Sequence, residues 1–304
     1  MKTVWKVVIV VGILGVLGVF GALLGYLAYK STDLGFGDAV MVVPVKGLIT
    51  LDACDVGLLS TSSCTTVADV KDALEAAQAD PSVKAILLDI NSGGGSVVAS
   101  REMMRIVKAS EKPVVSWIGE VGASGAYYVA SASDYIVADE DSITGSIGVI
   151  MNVMHYYGLM EEVGVNVTVI KAGKTKDIGS PYRPMTDEEQ KIMQDMIDKI
   201  YVDFTSDVAE NRGLDKGFVE NISSGQLYLG SEANTLGLID ALGGFDEALT
   251  MAKGFGGIEG EPRIIRPERE ESFWELINKF YGFKYDGFPI FGYKEYRWIN
   301  LWAT

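Results

Sequence analysis

Apolar residues are distributed along this chain in three patterns. The first is an unbroken run, Val7 to Ala28, that contains no charged side chain. At about 1.5 Å per helical residue, roughly 22 residues reach across a bilayer. Lys2 and Lys6 precede the run, and Lys30, Asp33 and Asp38 follow it. That lysine bias puts the N-terminus in the cytoplasm and the rest of the chain outside. A cleaved signal peptide has a shorter apolar core, ~7–15 residues, and a small-residue cleavage site. Tyr26-Leu27-Ala28-Tyr29-Lys30 is a poor site of that kind. The pattern predicts a cytoplasmic N-terminus and uncleaved transmembrane anchor over 1–30, then a linker over 31–37.

The second pattern alternates strand and helix periods. Met41 to Val45 is a short β-rich run. Val67, Val70, Leu74 and Ala77 fall at helical spacing, and Asp80-Pro81 ends that helix. Ala85 to Ile90 reads as a strand buried on both faces. A helix with Met103, Met104, Ile106 and Val107 follows, then a strand from Pro113 to Trp117 and a small-residue helix. Tyr135 to Val137 and Val167 to Ile170 are further predicted strands. Thr186-Asp187-Glu188-Glu189 is a capping box that opens a helix running to about Arg212. This succession predicts an α/β domain over 38–255. The third pattern is an aromatic-rich extension over 256–304, with Phe273, Trp274, Tyr281 and Trp298 among its rings. It is expected to pack on the domain or on a neighbouring subunit, with a membrane-interface anchor as the alternative, since Trp and Tyr suit that layer.

Composition removes several function classes. Apolar residues are 48% of 304, enough for a sizeable core. Lys and Arg number 26 against 41 Asp and Glu, a net charge of −15, which argues against nucleic acid as a partner. No Cys/His grouping has metal-ligand spacing, and neither a metal nor a cofactor is expected. The two cysteines, Cys54 and Cys64, lie in a Ser/Thr-rich stretch and are a candidate disulfide, since such a bond persists outside the cytoplasm. His155 is the single histidine, so a Ser-His-Asp triad would have to use it. It sits in Met154-His155-Tyr156-Tyr157, at the predicted start of a helix, and reads as a surface or packed residue. A hydrolase built on this chain therefore needs a different base.

Candidate chemistry begins at Asn91-Ser92-Gly93-Gly94-Gly95-Ser96, directly after the buried strand. Neither the dinucleotide fingerprint nor the phosphate loop is present. Exposed backbone N–H groups in such a loop can form an oxyanion hole, although the loop taken alone reads by default as a plain tight turn. Ser124, in Gly122-Ala123-Ser124-Gly125-Ala126, stands at a strand-to-helix transition. It reads equally as a helix N-cap or as a nucleophile. Ala126 excludes the Gly-x-Ser-x-Gly elbow. A lysine can serve as base if burial brings its pKa down from ~10.4 towards neutrality. Lys171, Lys174 and Lys176 are all candidates after a predicted strand, and chemistry alone does not choose among them.

Four segments together resemble the signal peptide peptidase A family. They are Asn91-Ser92-Gly93-Gly94-Gly95, Ala123-Ser124-Gly125-Ala126-Tyr127-Tyr128, Thr144-Gly145-Ser146-Ile147-Gly148-Val149-Ile150 and Lys174-Thr175-Lys176-Asp177-Ile178-Gly179-Ser180-Pro181. They occur in the family's order and spacing, over about residues 40–252. The resemblance implies a membrane-anchored serine endopeptidase with a Ser/Lys dyad on a ClpP/crotonase-like fold. By motif position, Ser124 matches the nucleophile, Lys176 the general base, and Ser146 the serine that orients the lysine. The oxyanion donors match the backbone N–H groups of Gly94, Gly95 and Gly125.

The resemblance also implies remnant signal peptides as substrates and a ring-like homo-oligomer, in which neighbouring subunits often supply serine and lysine. A lysine on a loop after a strand would be hydrated in an isolated subunit, which also favours assembly. One departure stands out: Gly93 occupies the place of a usual proline, and the loop loses that residue's fixed φ. Rival readings are a related membrane protease that cuts one membrane protein, a crotonase-like enzyme acting on acyl-CoA thioesters, and an inactive membrane scaffold.

Overall fold

In the computed structural model, residues 37–52 and 63–267 are described, and apart from Pro267 they belong to a single unit. The expected anchor, Cys54 and the aromatic residues from Phe273 onward lie outside the described residues. Among the described residues, no helix is long and apolar enough to cross a membrane.

The apolar runs build one mainly parallel sheet. β1 (Ala39–Lys46) pairs with β4 (Val83–Ser92), β4 with β5 (Val114–Ala123), and β5 with β6 (Tyr135–Ala138). The edges are β9 (Ala241–Leu242), beside β6, and β10 (Arg263–Ile265), beside β1. A small layer adds β2 (Leu48–Thr50) with β3 (Cys64–Thr66). At the end of β5, β7 (Ile143–Gly145) pairs in parallel with it and antiparallel with β8 (Leu227–Leu229).

β4 explains why the sheet is covered on both faces. Ile86, Leu88 and Ile90 enter one apolar cluster, whereas Ala85 and Leu87 enter another. The first cluster receives α1 (Val67–Ala79), α2 (Val97–Lys108), α3 (Gly125–Ser131) and α5 (Asp187–Arg212). The second receives α8 (Phe245–Phe255) through Ala248 and Ala252. Between α3 and α5 lies α4 (Tyr157–Glu162); α6 (Lys216–Ile222) and α7 (Gly230–Thr235) follow α5. A strand buried on both faces needs no polar alternation, so its sequence is a continuous apolar run. Each such Leu or Ile contributes about 1.5–3 kcal/mol by leaving water.

The helix ends follow from their caps. Thr186 Oγ1 accepts from Glu189 N–H at 3.2 Å, and Glu189 Oε2 accepts from Thr186 N–H at 3.0 Å, as the capping box predicts. α5 stops at Gly213, which takes the left-handed conformation at φ 63°. Cys64 is disulfide-bonded.

One expected element is missing. Val167 to Ile170 form no strand, and Ile150 and Ile170 are 85% and 95% exposed. β-branched residues favour a strand only where a neighbouring edge can pair with them. Among the described residues, no strand edge pairs with them.

Candidate active site

Adjacent parallel strands bring the glycine loop and Ser124 together at their C-terminal ends, where open α/β sheets place ligands. Ser92, at the end of β4, stands in register with Gly122 of β5. The loop 93–96 then runs beside the turn that carries Ser124 into α3. An alanine Cβ at Gly94 would sit 2.6 Å from Gly125 N and 3.1 Å from Ser124 Cβ, so the loop needs glycine for this approach.

Ser124 occupies the N-cap position of α3, but its side chain makes no capping hydrogen bond. Its backbone is at φ 54° and ψ −122°, close to the first central residue of a type II′ turn, a conformation that favours glycine. A non-glycine residue held there is strained by about 1–3 kcal/mol. Surrounding bonds hold it: Ser124 N–H donates to Gly145 O at 2.8 Å, and Ser124 O accepts from Tyr128 N–H at 2.9 Å. The hydroxyl is thus left unused by the helix, and Ser124 is one of the residues lining a cavity of about 270 Å³. Val97, Ile150, Ile200 and Phe204 give that cavity apolar surface.

Two backbone N–H groups beside Ser124, those of Gly95 and Gly125, have no hydrogen-bond acceptor among the described residues. They are neighbours: a Cβ on Gly125 would lie 3.2 Å from Gly95 N. Gly94 differs, because its N–H donates to Ser92 Oγ at 3.0 Å. Of the three expected oxyanion donors, Gly94 is therefore already engaged, while Gly95 and Gly125 are available. Ser146 lines the same cavity at φ 49°, and its N–H is fixed on Gln226 O at 2.7 Å.

Lys176 is placed elsewhere. It is exposed and is not among the residues lining the Ser124 cavity. The turn carrying it is anchored by its neighbour Asp177, which receives Arg183 Nε at 2.8 Å and also pairs with Lys171. Arg183 Nη1 reaches Glu189 Oε2 at 2.8 Å, tying the turn to the start of α5. Hydrogen bonds from Arg183 hold both carboxyls well below the usual range, Glu189 to about 2.

This network sets an acid limit. A depressed folded-state pKa gives stability that is complete above the ordinary carboxylate range, ~4, and is lost as pH falls through the folded value. Arg183→Gln should lower the thermal midpoint at pH 6, and the gap from wild type should narrow as pH falls towards about 2, where Glu189 protonates, with the Asp177 part persisting to lower pH. A gap unchanged from pH 6 to pH 2 in a thermal-melt series would contradict this account.

Motif reading did not single out Ser92, Arg101 or Phe204. Arg101 and Phe204 line the cavity, and Arg101 Nη2 is held by Asp203 Oδ2 at 2.8 Å. Tyr128, the last residue of the Ala-Ser-Gly motif, also lines it, and its hydroxyl donates to Asp207. Burial and that carboxylate push the Tyr128 phenol upward. His155 packs edge-on to the Tyr157 ring, 5.8 Å between centroids, and does not line the cavity. Among the described residues, no group of three or more His, Cys, Asp or Glu could hold a metal ion.

The fold and site thus define an α/β domain with a serine on a strained strand-to-helix turn beside two available N–H donors. Residues 106–257 match the profile of peptidase family S49, half of the chain, and the chain belongs to that family. This bears out the resemblance carried by the four motifs. A Methanocaldococcus jannaschii protein bearing a provisional protease name is 47% identical over 201 residues, covering 66% of this chain and 64% of that one. The chloroplastic serine protease SPPA of Arabidopsis thaliana is 33% identical over 201 residues, 65% of this chain and 30% of that one. Protease 4 of Haemophilus influenzae is 36% identical over 183 residues, 59% of this chain and 30% of that one. The chain therefore spans less than two thirds of the length of these relatives. A solved structure of a mutant 1510-N membrane-bound stomatin-specific protease shares the fold, with TM-score 0.50 and 16% identity over 77% of this chain and 99% of that one.

Proposed function

We propose that this chain is a membrane-anchored serine endopeptidase that cuts extended apolar peptides such as remnant signal peptides, with Ser124 as nucleophile and Lys176 as general base. The observation that carries the reading is the Ser124 turn. Its strain has no structural use, since the hydroxyl caps nothing, yet the turn sets Ser124 on the lining of a cavity beside the Gly95 and Gly125 N–H groups. Strain of this kind is a feature of catalytic turns.

The chemistry is acyl transfer. Neutral Lys176 takes the proton of Ser124 Oγ, which attacks a peptide carbonyl. The resulting oxyanion is held by the N–H groups of Gly95 and Gly125. Charged Lys176, held by Ser146, gives its proton to the leaving amine, and water then releases the acyl group. Lys176 does not line the cavity of its own chain, which favours a neighbouring subunit as its source. The exposed apolar side chains of Ile150, Met154, Leu159 and Ile170 support an assembly that would cover them.

The uncharged run from Val7 to Ala28 supports a single-pass anchor with the catalytic domain outside the cytoplasm. Apolar walls and a small cavity favour short extended segments over folded proteins. The full chain in detergent or vesicles should hydrolyse signal-peptide-derived peptides and leave a folded protein intact. Equal cleavage of both would contradict the substrate class.

A further inference from the structure

Ser92 ends β4 and is only 2% exposed. Its hydroxyl donates to Gly47 O at 2.6 Å and accepts from Gly94 N–H at 3.0 Å. Gly47 turns β1 into β2 at φ 67°, with its own N–H on Asn91 O at 3.0 Å. β2 holds the other side of the loop: Ile49 N–H donates to Gly94 O at 3.0 Å, and Ile49 O accepts from Ser96 N–H at 2.9 Å. Gly94 is thus held at both its N–H and its C=O, and the N–H that follows, that of Gly95, has no acceptor among the described residues. By contrast, Gly93 is unconstrained. A Cβ there would meet nothing within 4 Å among the described residues, and its φ is not in the left-handed region.

We propose that Ser92 is a positioning residue for the oxyanion site. Its hydroxyl fixes the Gly93–Gly94 peptide plane in one orientation, which keeps Gly95 N–H beside Ser124. In this chain a hydrogen bond does what a ring-fixed φ at position 93 would do. The inference rests on the reading of Ser124 as nucleophile and adds to it a residue that touches no reacting atom.

The test is kinetic, on the full chain. Ser92→Ala should lower kcat by about tenfold to a hundredfold, because misplacing a donor has a smaller effect than deleting one, and KM should stay within about twofold. A peptide aldehyde, which forms a tetrahedral adduct, should lose affinity by the same factor, while affinity for the product peptide holds. Adding Gly93→Pro should restore most of kcat. The ring has room at position 93, and Ser92 is already extended, as a residue before proline must be. Ser92→Cys, which keeps the shape with a weak donor, serves if the alanine variant does not fold; it should show the same kcat loss at a wild-type melting point.

An unchanged kcat would overturn the inference. So would a rise in KM alone, or a stable double variant that stays as slow as Ser92→Ala. Fluorophosphonate labelling of wild-type Ser124 separates the two levels. Labelled wild type with unaffected Ser92 variants overturns the Ser92 inference alone. Unlabelled wild type overturns the nucleophile reading, and this inference with it.

Discussion

Replacing Ser124 by alanine should reduce peptide hydrolysis by about four orders of magnitude or more, since the bond-forming oxygen is gone and only binding and oxyanion stabilisation remain. The fold should survive, because Ser124 caps nothing with its side chain. Ser124→Gly should be equally inactive and more stable than wild type by about 1 kcal/mol, because glycine accepts φ 54° without strain. Chemical denaturation of the three proteins checks this. A glycine variant less stable than wild type would mean that the turn is not strained and that the geometric argument for the nucleophile is unsound.

Lys176→Ala should have the second large effect, about 10²–10⁴-fold in kcat, the range for a lost general base. Residual activity should rise with pH as solvent hydroxide takes over the proton. His155→Ala should leave turnover unchanged, since its ring packs against Tyr157 away from the cavity. Mixing Ser124→Ala subunits with Lys176→Ala subunits tests where the base comes from. The exposed position of Lys176, off the wall of its own chain's cavity, leads us to expect that mixed assemblies regain part of the activity. If they regain none although subunit exchange is verified, the two residues act within one chain.

Parts of the fold are legible in the sequence for definite reasons. β4 reads as a buried strand because Ala85 to Leu88 and Ile90 are needed on both faces of the sheet. α5 reads from Thr186 because its capping box is local chemistry. Val167 to Ile170 mislead because propensity records what a residue tolerates, and a strand also needs an edge to pair with. The pairing of β10 with β1 joins residues far apart in sequence and has no local signature.

The site divides in the same way. Glycine and serine types at 93–95 and 122–125 mark the loop and turn, but an N-cap and a nucleophile turn share the same local sequence. The folded backbone adds φ 54° and a side chain that makes no capping bond, which support the proposed nucleophile role and have no signature in the local sequence. Ser92 was hidden for a related reason: the partner that makes it informative, Gly47, lies far back in the chain. Gly94 matched a donor position, yet its N–H is already taken by that serine.

The central claim is that Ser124 is a nucleophile activated by Lys176, and covalent trapping tests it most directly. The full chain in detergent is treated with a fluorophosphonate and digested, and the modified peptide is identified by mass. We expect one adduct, on Ser124, forming faster as pH rises and about a hundredfold more slowly in Lys176→Ala. An adduct on another residue, or a labelling rate that Lys176→Ala leaves unchanged, would contradict it.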